Sequence, residues 1–208
     1  GTTLLSSTAN DGSDDVTVPD VQTAAARMKV GCTTSPFFNI SRPAFTIAAP
    51  AVPPANVVAT ALSSSVTRLS WAGVAEATEY RIYRRAAGQD FSLVATYVLP
   101  QELIGETGTM TFDVAQPSGT SALYTMRSVA GGVASADSDF DLATTVVFTN
   151  DPVVGGTFIR AAHLTELRAG VTALSHLAGL DSPAFTDVIQ AGTPIRSVHI
   201  TELRSVAD

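Results

Sequence analysis

Cysteine and lysine are almost missing from this chain of 208 residues. Cys32 is the single cysteine, which excludes a disulfide within one chain and is typical of a small buried apolar residue or of a link between subunits. Lys29 is the single lysine among 12 basic residues, and 19 acidic residues leave a net charge of −7. Because phosphate binding needs clustered lysine and arginine, we expect no nucleic-acid partner.

Long apolar runs and catalytic motifs are also missing. No stretch approaches the roughly 20 consecutive apolar residues of a membrane helix, so we expect no membrane insertion. The chain has no Gly-x-Ser-x-Gly sequence, no phosphate-binding glycine loop and no paired cysteines for a metal. We therefore predict a protein that is not an enzyme, without catalytic residues or a cofactor.

The overall composition is that of an exported protein. The chain begins at Gly1 rather than Met, as a processed product does, and only 15% of its residues are charged. Abundant serine, threonine, alanine, valine and glycine fit a chain whose secretion signal has been removed. We predict an extracellular or cell-surface location.

Residues 1–54 form an irregular first region that ends in a proline-rich linker, which indicates an extended N-terminal arm. Residues 21–28 are rich in alanine and are a candidate helix capped by Asp20. Two short apolar pieces, 37–40 and 44–47, are candidate strands. They need another surface, either the following domain or a neighbouring subunit that receives them as an added strand.

Residues 55–148 have the texture of an all-β domain. About seven short strands, separated by turns such as 86–90 and 131–132, favour a β-sandwich. The last strand is predicted at 144–148. We expect the core of this sandwich to contain Tyr80 and Ile82, which lie on one face of their strand.

This stretch resembles a fibronectin type III domain. Trp71 ends the second strand, where that family keeps a core tryptophan, and residues 79–84 are similar to the third strand. Residues 121–129 resemble the sixth strand, which places Tyr124 in the tyrosine-corner strand. The resemblance implies that Trp71 and Tyr124 also belong to the core. The resemblance implies the fold and no particular function.

Residues 149–208 contain a 13-residue segment twice. The copies, 156–168 and 192–204, lie 36 positions apart and share nine of 13 residues. A unit at a fixed period indicates one supersecondary element used twice, so we predict two helical units, the second of them truncated. A fibronectin-like domain followed by Ile-Arg-x-x-His-x-Thr-Glu-Leu-Arg units resembles the C-terminal regions of secreted bacterial proteins, acidobacterial ones especially.

The hydroxyl and leucine positions of the two copies predict how the helices begin and pack. Thr157 and Thr193 are predicted N-caps, because each hydroxyl can accept from a free backbone N–H of the first turn. Leucines spaced three and four apart predict one buried helix face. This face contains Leu164 and Leu167 in the first helix and Leu203 in the second.

The repeated histidine and glutamate are the candidates for chemistry. His163 and Glu166 lie three apart on the first helix, as do His199 and Glu202 on the second, so each pair points the same way. Two such helices side by side offer two imidazoles and two carboxylates, a set that suits zinc or iron. The alternative is structural, with histidine bonded to a loop carbonyl and glutamate paired with arginine. We favour the structural interpretation and predict no metal.

Together these patterns predict a mainly β protein with an N-terminal arm, a fibronectin type III-like sandwich and a small helical repeat module. We predict a secreted structural protein, the subunit of a cell-surface or extracellular filament, which packs against other protein subunits including copies of itself. The alternative is an accessory module of an extracellular hydrolase that anchors it or binds polysaccharide. Its candidate sugar-binding residues are Tyr83, Phe91 and Tyr97.

Overall fold

A computed structural model describes residues 1–9, 11–19, 21–47 and 51–207, without the side chain of Ala207. The backbone divides into two compact units, Gly1–Pro50 and Ala51–Asp208. The predicted helix cap at Asp20 lies outside the described residues.

The first unit contains a long β-hairpin. Its four short strands pair antiparallel in two nested ladders, β1 (Thr23–Ala26) with β4 (Phe45–Ile47) and β2 (Lys29–Gly31) with β3 (Phe38–Ile40). The helix predicted over 21–28 is therefore wrong, because pairing with a strand some twenty residues away overrides the weak helical preference of the alanines. Cys32 lies exposed next to the hairpin tip, not buried as a lone cysteine would suggest.

The second unit begins with the predicted sandwich. Its strands are β5 (Ala55–Ser63), β6 (Val66–Ala72), β7 (Glu79–Arg85), β8 (Ser92–Val98), β9 (Thr109–Ala115), β10 (Ser121–Ala130), β11 (Val133–Ala134) and β12 (Asp141–Thr144). One sheet has the order β5–β6–β9, and the other has the order β11–β10–β7–β8 with β12 also on β10. The mainly β class and the fibronectin type III-like sandwich are confirmed. The last strand ends at Thr144, where the predicted one begins.

Aromatic side chains fill the space between the two sheets. Trp71 is 1% exposed, and Tyr80, Ile82 and Tyr124 are fully buried. The ring centroids of Trp71 and Tyr80 lie 5.0 Å apart in an edge-on arrangement, which aromatic pairs favour. The hydroxyl of Tyr124 donates to Oε1 of Gln116 at 2.9 Å, so its polar end is satisfied inside the core.

Two helices follow the sandwich, α1 (Ala161–Leu177) and α2 (Ser197–Ala207). α1 packs on strands β10 and β12 and also on α2, so the helical pair belongs to the second unit. Within α1, a Cβ added at Gly170 would lie 3.4 Å from Cζ of Phe148, which explains a glycine in mid-helix despite its cost. Neither helix of the described chain is long and apolar enough to cross a bilayer.

Both helices begin three residues later than predicted. Arg160, in an extended conformation, is the N-cap of α1, and α2 begins at Ser197, so the assignment of Thr157 and Thr193 as N-caps is wrong. The hydroxyl of Thr193 instead accepts from the backbone N–H of Gln190 at 3.1 Å, in a turn of the preceding loop.

The buried face of α1 also differs from the predicted leucine stripe. Leu164 is 3% exposed, but Leu167 is 45% exposed. The buried positions include His163 and Arg168, which make polar contacts with the loops. Leu203 in α2 is half-buried.

Candidate functional site

Each C-terminal helix begins with the same histidine cap. The backbone N–H of Arg160 donates to Nδ1 of His163 at 3.2 Å, and the backbone N–H of Arg196 donates to Nδ1 of His199 at 3.2 Å. Each histidine is the third residue of its helix. The imidazole therefore has the role that a glutamate or glutamine has in a capping box, where it binds the backbone of the N-cap residue.

The second ring nitrogen of each histidine holds the preceding loop. Because Nδ1 accepts a hydrogen bond, Nε2 carries the ring hydrogen and donates. Nε2 of His163 donates to Oδ1 of Asn150 at 3.2 Å, and Nε2 of His199 donates to Oδ2 of Asp187 at 2.8 Å. The rings lie out of water, since His163 is 8% and His199 0% exposed.

The repeated glutamates hold the same loops one residue earlier. A carboxylate oxygen of Glu166 accepts from the backbone N–H of Thr149 at 2.7 Å, and one of Glu202 accepts from that of Thr186 at 2.9 Å. Each carboxylate also accepts from the hydroxyl of the same threonine. The threonine hydroxyl, followed by the threonine N–H, holds the pKa of both glutamates below the ordinary value.

Each set of histidine and glutamate bonds is called a clasp below. The first clasp joins residues 149–150 to α1, and the second joins residues 186–187 to α2. In the second clasp, the hydrogen bond from His199 is the main reason that the pKa of Asp187 lies below its usual value.

Arg168 connects α1 to the second clasp. Its Nη1 donates to the carbonyl oxygen of Asp187 at 2.6 Å, and its Nη2 donates to Oε2 of Glu202 at 3.0 Å. The guanidinium also lies over the ring of Phe185, 4.4 Å from the centroid. Arg168 is 8% exposed, so these charge-assisted bonds are shielded from water and fix the two helices together.

The histidine and glutamate pairs do not come together as a metal site. Each imidazole accepts from a backbone N–H through Nδ1 and donates through Nε2, so neither nitrogen offers a free lone pair to a metal. In the ranges that the structure describes, no three His, Cys, Asp or Glu residues are grouped as metal ligands. The geometry supports the structural interpretation of His163, Glu166, His199 and Glu202.

Sequence reasoning found the helical halves of the clasps, and of the predicted partners only the arginine of Glu202 was right, because Arg168 binds it. The histidines bind loop side chains rather than carbonyls, and Glu166 binds a threonine rather than an arginine. The signal for the loop halves is a second repeat outside the 13-residue segments. It consists of Phe148-Thr149-Asn150 and Phe185-Thr186-Asp187, which are 37 positions apart.

The aromatic residues suggested for sugar binding do not form a common platform. Tyr97 turns toward the core, with its ring centroid 6.3 Å from that of Trp71. Tyr83 lies on the opposite face of its sheet, where the Arg127 guanidinium covers its ring at 4.9 Å. Phe91, in the turn before β8, is 39% exposed. Nothing in this arrangement gives a flat aromatic surface for a sugar ring.

The hairpin of the first unit exposes several large apolar side chains near its tip. Val30 is 65%, Phe37 79% and Phe38 60% exposed, and these three residues are called the tip cluster. The ammonium group of Lys29 lies over the Phe38 ring, 4.3 Å from its centroid. Exposed apolar side chains on one element are typical of surfaces that contact another protein.

No protein-family model and no curated protein matches this chain. Among solved structures, it is similar to an Fn3-like protein from Clostridium thermocellum, with 19% identity over 46% of this chain and 94% of that one and a TM-score of 0.38. It is also similar to the third fibronectin III domain of human KIAA0343 protein, with 17% identity over 51% of this chain and 90% of that one and a TM-score of 0.37.

Proposed function

We propose that this chain is a secreted structural protein without catalytic activity, the subunit of a cell-surface or extracellular filament. It acts by packing against other protein subunits, copies of itself included. The low charge, the single lysine and the lack of catalytic motifs support this role. The sandwich supplies a rigid body. The repeated histidines and glutamates fix loops to helices through hydrogen bonds.

The tip cluster is the observation that carries the proposal. A two-stranded hairpin is marginally stable in water unless it packs on something further. This one leaves two adjacent phenylalanines, Phe37 and Phe38, mostly in solvent. Burying large aromatic side chains contributes most of the energy of protein contacts, so the hairpin is suited to insert into a partner subunit.

The test removes the apolar tip from the full chain. In a variant with Phe37→Ser and Phe38→Ser, we expect assembly to be lost or strongly weakened, as measured by electron microscopy and sedimentation velocity. The matched control is Phe140→Ser, since Phe140 is 64% exposed in the loop before β12. We expect the control to assemble as the natural chain does.

Two results would count against the proposal. If the Phe37→Ser, Phe38→Ser variant assembles as well as the natural chain, the tip cluster is not a contact surface. If the natural chain forms no assembly but is retained on insoluble polysaccharide, the accessory-module alternative replaces the structural role.

A further inference from the structure

Helix α2 exposes a copy of the face that α1 buries. On α1, Leu164 is 3% and Arg168 is 8% exposed. Their counterparts 36 positions later differ, because Ile200 is 41% exposed and Arg204 is exposed. Arg168 and Arg204 are each the eighth residue of their helix. With the residues that the structure describes, the Arg204 side chain forms no hydrogen bond or ion pair.

The first clasp shows the complementary difference. In the second clasp, Arg168 covers Phe185 and binds Glu202. The residues at the same places in the first clasp are Phe148 and Glu166. Among the described side chains, no cation covers the Phe148 ring, and Glu166 binds only Thr149. One end of the helical pair therefore has an arginine without an acceptor, and the other has an acceptor without an arginine.

We propose that copies of this chain join head to tail through these two ends. Arg204 of one copy binds the first clasp of the next copy. It does so in the way that Arg168 binds the second clasp within one chain. Its guanidinium stacks on the Phe148 ring and donates to the Asn150 carbonyl and to Glu166. The exposed Ile200 is covered by the same contact.

Two features of the chain favour a second copy as the partner. The contact continues an interface that already exists between α1 and the second clasp, with the same residue types at each position. The two surfaces also differ in sign, since one presents an arginine and the other a carboxylate. Because the two surfaces are different, the contact is heterologous and repeats without closing, which yields a filament. This inference rests on the proposed function and names its partner and contact.

Removing one exposed side chain tests the contact. Sedimentation velocity of the full chain is expected to show a mass that rises with concentration. Arg204→Ala should raise the apparent dissociation constant by about tenfold or more, because hydrogen bonds to a charged group are lost. The control is Arg85→Ala, which removes an arginine of the sandwich and should leave association unchanged. Arg204 is exposed, so the variant is expected to fold, which a thermal melt verifies.

A charge exchange between two populations tests the pairing itself. Arg204→Glu alone and Glu166→Arg alone should each associate weakly, because like charges meet at the contact. An equimolar mixture should associate as the natural chain does, since the new glutamate of one population meets the new arginine of the other. Glu166→Arg also breaks the bonds to Thr149, so circular dichroism must show that this variant folds. Arg204→Glu leaves those bonds intact and tests the contact by itself.

The outcomes distinguish failure of the head-to-tail contact from failure of the proposed structural role. If Arg204→Ala and Arg204→Glu assemble like the natural chain while the Phe37→Ser, Phe38→Ser variant does not, the head-to-tail contact is wrong and the structural role stands. If the natural chain stays monomeric at every concentration, both the contact and the self-assembly are wrong. If the folded mixture fails to associate, the pairing of Arg204 with Glu166 is wrong.

Discussion

The sandwich and the helical pair of the second unit are stabilised by different interactions. The sandwich buries large apolar and aromatic side chains, among them Leu69, Trp71 and Tyr80. The helical pair has His199 as its largest fully buried side chain. Apolar burial is strong but not directional, whereas hydrogen bonds fix donors and acceptors in place. The sandwich therefore contributes most of the stability, and the clasps determine how the loops meet the helices.

Truncation of the core tryptophan should have the largest effect. Trp71→Ala removes a ring that is 1% exposed and packs edge-on against Tyr80. We expect the free energy of unfolding to fall by about 3–5 kcal/mol, as for other buried aromatic truncations. Chemical denaturation followed by circular dichroism measures it. Phe140→Ala is the control and should change stability by less than about 0.5 kcal/mol. A loss for Trp71→Ala as small as that of the control would contradict burial as the main interaction.

Loss of one clasp should have a smaller and more local effect. His199→Ala leaves the carboxylate of Asp187 and the backbone N–H of Arg196 without their partner. We expect a loss of about 2 kcal/mol, because the fully buried imidazole leaves a cavity and both of its hydrogen bonds are lost. Helical ellipticity should melt at lower temperature than the fluorescence of Trp71.

The exposed histidine of α1 is the control for this prediction. His176 bonds only to the hydroxyl of Ser182, at 2.7 Å, in an exposed position. His176→Ala should change stability by a few tenths of a kcal/mol. If His199→Ala and His176→Ala melt alike, the clasp does not stabilise the helix.

The same contrast explains which features the sequence could predict. The buried face of the sandwich could be predicted in part, because burial of Tyr80 and Ile82 follows from alternation along their strand and that of Trp71 follows from the family resemblance. The helical repeat was also visible, because identical residues return at a fixed interval. The hydrogen bonds that hold its loops were not visible in the sequence. His163 binds Asn150, 13 positions earlier, and no periodicity connects the two residues.

The mistakes have physical reasons of the same kind. Thr157 and Thr193 match the general preference for hydroxyl caps, but each helix begins three residues later, where an imidazole binds the backbone N–H of the residue before the helix. The alanines at 24–26 favour a helix locally, and a distant strand makes them part of a ladder. In the hairpin, local preference failed because a strand far along the chain supplied the backbone bonds.

Acid should unfold the helical pair before it unfolds the sandwich. The lowered pKa values of Glu166, Asp187 and Glu202 mean that these groups stabilise the fold fully above the ordinary carboxyl pKa, about 4. That stabilisation is lost as the pH falls through the lowered values, because a protonated carboxyl is a poorer acceptor. The helical ellipticity should therefore fall on acidification before the Trp71 fluorescence changes.

A paired variant checks the origin of this pH dependence. Glu166→Gln with Glu202→Gln keeps an oxygen for each threonine N–H but removes two titrating groups. Its helical signal should depend less on pH than that of the natural chain. The sandwich pair Arg68–Asp113 also lowers the pKa of its aspartate, but an exposed pair contributes little to stability. Simultaneous loss of both signals in the natural chain would contradict the separation.

The smallest effect is expected where one clasp is converted into the other. Asp187→Asn gives the second clasp the amide that Asn150 gives the first, and its oxygen still accepts from Nε2 of His199. What is lost is the attraction to Arg196, 3.6 Å away, whose side chain is 63% exposed. We expect a cost of a few tenths of a kcal/mol at neutral pH in a thermal melt of the helical signal, because an exposed ion pair is weak. Asn150→Asp is the reverse control and should be equally mild. A cost above about 2 kcal/mol for Asp187→Asn alone would mean that the charge of this residue, rather than the shared hydrogen-bond pattern, holds the second clasp together.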